Sequence, residues 1–520
     1  MTLHKQLLAF LFLLCLFSCD QKKSTTTVSE SDISQYYDAD KQPFYHGVAS
    51  GDPLPDRVII WTRLTPSQKG ESFPVKWIIA KDEALTEVVN EGIVTAYANR
   101  DFTIKIDVLA LEADQFYYYQ FIEKGKKSAL GRTKTAPKRA ANKVKLAVIS
   151  CTNYEAGYYN ALANLAKQDS LDAIIHLGDY IYEYEPGGYG NEDLDRHHLP
   201  AKELLTLEDY RIRYSQYRLD LDFQEVHKLH PFIAIWDDHE IANNAYTTGA
   251  KNHQPDEGDY IKRRQAAQQA YYEWLPIREN AGGQLYRKIT MGKLVDILLL
   301  DERVAGRSAP VEKTSDKNYN SDERSMLGEQ QYQWLTKSLS SSEAHWKIIG
   351  NQVIFSDFDY TKVRPEKPTN MDAWDGYPAE KKKLIEFVQE RQVDNLVFVS
   401  GDTHCSWAFE VPSSADAYRK NPTKETIAIE LGTPSVTSSN YDEYESTSKV
   451  KKAEEIYKKE NLHLKYVDLR NHGYLLLEIT EGAILATYNY VETLEKPSSV
   501  ENRAGLIRIE SGTKKLTFGH

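Results

Sequence analysis

Short runs dominated by apolar residues recur beyond residue 143, at 144–149, 173–175, 232–236, 294–300, 346–350 and 395–400. Runs of this length suit strands buried on both faces and are too short for independent helices. Between them, 160–168, 207–219 and 259–274 repeat apolar positions at helical spacing among many charges, which predicts covering helices. The alternation of strand, loop and helix predicts an α/β domain over 138–520. The runs also end alike, in residues that bind cations. Cys151 follows the first, and Asp179 and Tyr182 follow the second just past a turn that Gly178 permits. Asp237-Asp238-His239-Glu240, Asp301-Glu302-Arg303, Asn351-Gln352 and Gly401-Asp402-Thr403-His404 follow the others in order. A β-rich tail with strands at 474–479 and 484–490 closes the chain.

The region 44–137 has a different texture. Alternation at 57–62 and 102–108, and an aromatic strand at 115–121 before a Lys124-Gly125 turn, predict a small all-β unit. Several short strands in this length suit an immunoglobulin-like or fibronectin-like sandwich. It carries no cluster of ligands or nucleophiles, so it reads as a packing or binding module. Residues 135–145 read as its linker.

Ahead of it, Lys5 and the apolar stretch 7–17 form a signal-type segment too short to span a bilayer stably. Leu16-Phe17-Ser18-Cys19 resembles a bacterial lipobox, in which the chain is cut before Cys19 and that residue is lipidated. The expected division is a lipoprotein signal peptide over 1–19, a flexible tether over 20–43, the sandwich over 44–137 and the catalytic domain over 138–520. The protein is then expected as an exported bacterial lipoprotein of the cell envelope, on the periplasmic or surface face.

Charge narrows the partners. A net charge of −12 argues against broad nucleic-acid binding, but not against a small phosphorylated substrate held locally. Of four cysteines, Cys15 leaves with the signal and Cys19 is the lipid site. Cys151 and Cys405 remain, either as a disulfide or with Cys151 as a metal ligand.

One Gly-Asp pair alone is an ordinary polar turn. Cys151, Asp179, Tyr182, Asp238, His239, Asp402 and His404, each placed after a strand, form a joint signal of a site assembled at strand ends. The motifs carrying it are SCTNYEAGYYNA at 150–161, HLGDYIYE at 176–183, WDDHEIANN at 236–244, LDERVAGR at 300–307 and VSGDTH at 399–404. HGVASGDPLPDRVIIWTRL at 46–64, GNQV at 350–353, WDGYP at 374–378 and HGY at 472–474 extend the match. With these motifs the chain resembles the PhoD-type alkaline phosphatases of the metallophosphatase (calcineurin-like) superfamily. Asp-Asp-His-Glu and Gly-Asp-Thr-His stand where general metallophosphatases carry GNHE and a GHxH-like motif.

The resemblance implies an α/β metallophosphatase domain, a layered β-sandwich flanked by helices, hydrolysing phosphomonoesters and phosphodiesters with Fe(3+) and Ca(2+). Cys151, Asp179, Tyr182 and His404 would suit the ferric ion; Asp238 and Asp402, with Asp179 bridging, would suit calcium. An oxygen species between the metals would attack phosphorus. His239 would stand near the leaving group as hydrogen-bond donor or general acid. Arg303 would neutralise phosphate oxygens through a bidentate fork, with Arg307 close to an equal alternative. Asp237 is expected to orient its neighbour, His176 to be a core residue, and Asn351 to touch either metal or substrate. A phospholipase D-like diesterase and a non-catalytic surface binding protein are the competing functions.

Overall fold

The computed structural model describes residues 33–519 apart from 140 and 281. The signal peptide and lipobox expected over 1–19, with Cys19, lie outside the described residues, as does most of the tether expected over 20–43. The described end of that tether is packed rather than loose. Ile33 is buried, and Tyr37 stacks on Tyr45 with ring centroids 4.2 Å apart.

The centre is two sheets packed face to face. In the ten-stranded sheet, Val144–Ile149, Ala173–His176 and Pro231–Ala234 run parallel. In the seven-stranded sheet, Val295–Leu299, Trp346–Asn351, Leu396–Ser400 and Thr426–Gly432 do the same. The period of two along these strands sorts their side chains. Ile297, Leu299, Ile348, Val397 and Val399 join the core between the sheets. Leu298, Ile349 and Phe398 face outward onto the helices Gly328–Ser340 and Pro378–Glu390. Burial on both faces explains why the runs read as continuously apolar.

The N-terminal unit does contain two facing layers, but one layer belongs to the main sheet. Val48–Leu54 pairs in parallel with Pro231–Ala234, and Arg57–Arg63 and Thr103–Leu109 follow it at the edge. Alternation divides these strands: Val48 and Ile60 enter the small core, whereas Ala49 and Trp61 enter the central one. Gly51 makes the junction possible, because a Cβ there would lie 2.4 Å from the Pro276 carbonyl oxygen. The linker expected over 135–145 is shorter than expected, since the strand has begun by Val144.

The C-terminal segment pairs as the strands Glu501–Glu510 and Leu516–Phe518 on the far edge of the large sheet. No helix among the described residues is long and apolar enough to cross a membrane.

Candidate metal centre

Parallel strands present their C-terminal ends on one rim, and there the expected residues meet. Glu240 ties two of the loops together by accepting from the backbone N–H groups of Asp179 (3.0 Å), Tyr180 (2.7 Å) and Asp237 (2.8 Å). The approach is close enough that a Cβ on Gly178 would sit 2.2 Å from the Asp237 nitrogen, and Gly178 itself has φ +102°. Cys151, Asp179, Asp402 and His404 all adopt left-handed backbone, with φ of 60°, 55°, 61° and 62°. Non-glycine residues there cost about 1 kcal/mol each, strain that accumulates at functional sites.

Ligand atoms of Cys151, Asp179 and His404 lie within 4.8 Å of one another. The same holds for Asp179, Asp238 and His239, and for Asp237, Asp238 and Asp402. Asp179 is shared by the first two groups and Asp238 by the last two. Asp179 Oδ1 and Asp237 Oδ2 are buried and accept no hydrogen bond among the described residues. Buried carboxylate oxygens without donors are what a cation would satisfy.

The thiol side is held by hydroxyls, a carbonyl and the Asp179 carboxyl. The Tyr182 hydroxyl donates to Asp179 Oδ2 at 2.9 Å and accepts from Ser438 Oγ at 2.6 Å. The Cys151 thiol donates to Ser150 Oγ at 3.2 Å. His404 Nδ1 sits 2.7 Å from the Ser439 carbonyl, so Nδ1 carries the proton and Nε2 keeps a lone pair for a metal. Burial, reinforced by the Asp179 charge, pushes the Cys151 thiol and the Tyr182 phenol well above their usual ranges. Burial lowers His404 to about 4, so its imidazole is neutral.

The carboxylate side is held by a buried cation. Arg303 donates from Nη1 to Asp372 at 2.6 Å, from Nη2 to Asp402 at 2.9 Å and from Nε to Asp237; Asp238 lies 3.5 Å from Nη2. Burial raises Asp402 to about 6 and Asp237 to about 8, against the lowering pull of Arg303. Burial also opposes the ionisation of Asp372, but Arg303 and Arg307 outweigh it and hold that carboxyl at about 2.

His239 lies between the two sides. Its Nδ1 meets Glu183 Oε2 at 2.7 Å, leaving Nε2 for a substrate. Glu183 is fixed in turn by the Asn243 N–H at 2.7 Å and Asn252 Nδ2 at 2.8 Å. Burial would lower the His239 pKa, but Glu183, Asp179 and Asp238 outweigh it and raise it well above 6.5.

All the expected residues gather here, but two hold different posts. Arg303 is expected as a phosphate fork, yet it is fully buried and each guanidinium nitrogen is engaged by a carboxylate. Arg307 is also buried, bonded to Asp372 and to Tyr377. Asp237, expected only to orient its neighbour, brings a free oxygen into a carboxylate group. Asn351 accepts from Trp374 at 3.1 Å, and His176 is a buried core residue. Cys151 and Cys405 are both buried free thiols, so the disulfide alternative is not realised. Glu183, Glu240, Asp372 and Ser438 join the site without being marked as site residues by the sequence pattern. Glu183 and Glu240 close the HLGDYIYE and DDHE motifs, and that position was the available signal.

Comparison with known proteins places this arrangement. The model described as PhoD-like phosphatase matches residues 146–488, and that of the PhoD-like phosphatase N-terminal domain matches 29–137. Alkaline phosphatase D of Bacillus subtilis (strain 168) is 34% identical over 506 residues, 91% of this chain and 82% of that protein. A solved structure described as that of PhoD matches with a TM-score of 0.82 and 32% identity, covering 92% of each chain. The fold and the family are those of a phosphatase, a hydrolase of phosphate esters. The chain belongs to the PhoD-like phosphatase family.

Proposed function

We propose that the protein is an exported, lipid-anchored, metal-dependent phosphoesterase acting on both phosphomonoesters and phosphodiesters. The observation that carries metal dependence is the pair of buried, donorless oxygens on Asp179 and Asp237 beside a thiol, a phenol and an imidazole. Cys151, Asp179, Tyr182 and His404 would hold Fe(3+); Asp238 and Asp402, sharing Asp179 and joined by the free Asp237 oxygen, would hold Ca(2+). When bound, the ions would activate water near neutral pH and neutralise phosphoryl oxygens.

The rest is done by the chain itself. Glu183 orients His239 and keeps it protonated, so Nε2 can give its proton to the departing alkoxide. Arg303 serves the substrate indirectly, by fixing Asp237, Asp238 and Asp402. Glu240 sets the spacing between the Asp179 and Asp237 loops. We read the two central sheets as the calcineurin-like core and the N-terminal layers as an immunoglobulin-like sandwich sharing one sheet with it.

Hydrolysis of 4-nitrophenyl phosphate and bis(4-nitrophenyl) phosphate, measured before and after chelation, tests the reaction. Activity on both should fall at least a hundredfold on chelation and return with iron and calcium. Full activity in stripped protein would contradict metal dependence, and inert behaviour toward the diester would confine the enzyme to monoesters. Cys19→Ser should move the protein from the membrane fraction to the soluble one; unchanged partition would refute the anchor.

A further inference from the structure

A cavity of about 480 Å³ adjoins the metal centre, with Asp402 and His404 in its wall. A phosphoryl group fills only a small part of such a volume, which leaves room for what the phosphate is attached to. Segments 312–314, 360–372 and 439–444 contribute to the rest of the lining.

Three cations stand in that lining, Lys313, Arg364 and Lys367, in a chain whose net charge is −12. Arg364 is the distinctive one. The other two arginines near the site, Arg303 and Arg307, are buried and neutralised by Asp237, Asp372 and Asp402. Arg364 has no carboxylate partner among the described residues. Its guanidinium lies over the Tyr441 ring, 4.4 Å from the centroid. That ring is fixed by a hydrogen bond between the Tyr441 and Tyr457 hydroxyls at 3.0 Å. A guanidinium stacked on a ring keeps its edge N–H groups free, and that edge matches the geometry of a phosphate. Glu312 and Glu366 share the lining but pair with none of the three cations. Tyr360, Trp407 and Tyr444 supply apolar wall.

We infer that this cavity is a subsite for a second phosphate carried on the alcohol portion of the substrate, read by Arg364 with Lys313 and Lys367 as supporting charges. The inference rests on the phosphatase reading of the adjoining centre. Ions held at the adjoining centre would take the reacting phosphoryl group; Arg364, elsewhere in the same lining, takes the distal one, and the aromatic wall covers the carbon chain between them. Substrates with two phosphates separated by a short linker are therefore preferred over simple monoesters of the same alcohol.

The test compares the metal-loaded wild-type protein with Arg364→Ala and Arg364→Lys on a series of alkanediol bisphosphates and the matching monophosphates. The readout is the ratio of kcat/KM for bisphosphate to that for monophosphate, with thermal melting as the folding control. Wild type should favour the bisphosphate about tenfold or more at one optimal linker length, through KM. Arg364→Ala should collapse that ratio toward one, Arg364→Lys should keep part of it, and Lys313→Ala should reduce it less. A wild-type ratio near one at every length, or a ratio indifferent to Arg364→Ala, overturns the subsite while leaving the phosphatase reading intact. Failure of the loaded wild type on every ester overturns both.

Discussion

The two sides of the candidate metal centre are built on opposite electrostatic plans. On one, Cys151, Tyr182 and His404 are held by hydroxyls and a carbonyl, from Ser150, Ser438 and Ser439, with no cation among those contacts. On the other, Asp237, Asp238 and Asp402 surround the buried guanidinium of Arg303. Burial keeps the thiol and phenol protonated, so an ion binding there must displace protons and needs high charge density to do so. The carboxylate side, acceptor oxygens already partly compensated by Arg303, suits an oxygen-binding ion of lower charge density. Asp179 joins them, left with one oxygen free and the other bonded to Tyr182. Two unlike clusters of candidate ligands sharing one carboxylate are therefore set by their surroundings as much as by their own chemistry.

The widest split between the halves should appear in stability. Arg303→Met leaves several buried carboxylates without their counter-charge and should cost about 3–5 kcal/mol in urea denaturation of the chelated protein at pH 8. Tyr182→Phe removes hydrogen bonds to neutral and acidic partners and should cost about 1–2 kcal/mol. Equal losses would erase the distinction.

Glu183→Gln probes the junction. It removes the carboxylate that raises His239, so kcat should fall about tenfold to a hundredfold with little change in KM. The alkaline limb of the pH–rate profile should also move to lower pH. A fall in kcat without that movement would make Glu183 a packing residue only.

The smallest effect is a pH trend in the chelated protein. Asp237 and Asp402 have folded pKa values of about 8 and about 6 against an ordinary 3.8, so the folded state holds protons that the unfolded chain releases. Stability should therefore fall as pH rises from about 4 to about 8 and level off above that, a drop of a few degrees in Tm. A metal bound at those carboxylates would take the place of the protons and should flatten the curve. A Tm that rises across this window in chelated protein would reverse the assignment.

Much of this site was legible because apolar runs end abruptly in metal-binding residue types. Cys151, Asp179, Asp238, Asp402 and His404 needed only strand ends to be located, and parallel pairing put those ends on one rim. The post of Arg303 was not legible, since its carboxylates come from three separate segments and only tertiary packing brings them to one guanidinium. The shared sheet was hidden for a similar reason: Ser50 pairs with Pro231, and nothing local in Val48–Leu54 names so distant a partner. The helices Pro378–Glu390 and Thr447–Glu460 carry buried residues at helical spacing, Leu384 with Val388 and Val450 with Ala453 and Tyr457. Their apolar positions are few among many Lys and Glu residues, so the helical stripe is faint in the sequence.

Metal content of two variants beside the wild type tests the central claim most directly. Cys151→Ala should lose iron and retain calcium, whereas Asp402→Asn should lose calcium and retain iron, each measured by elemental analysis of protein loaded with both ions. Wild type should hold both. Loss of both metals in either variant, or of neither in both, would contradict a centre made of two separately organised halves.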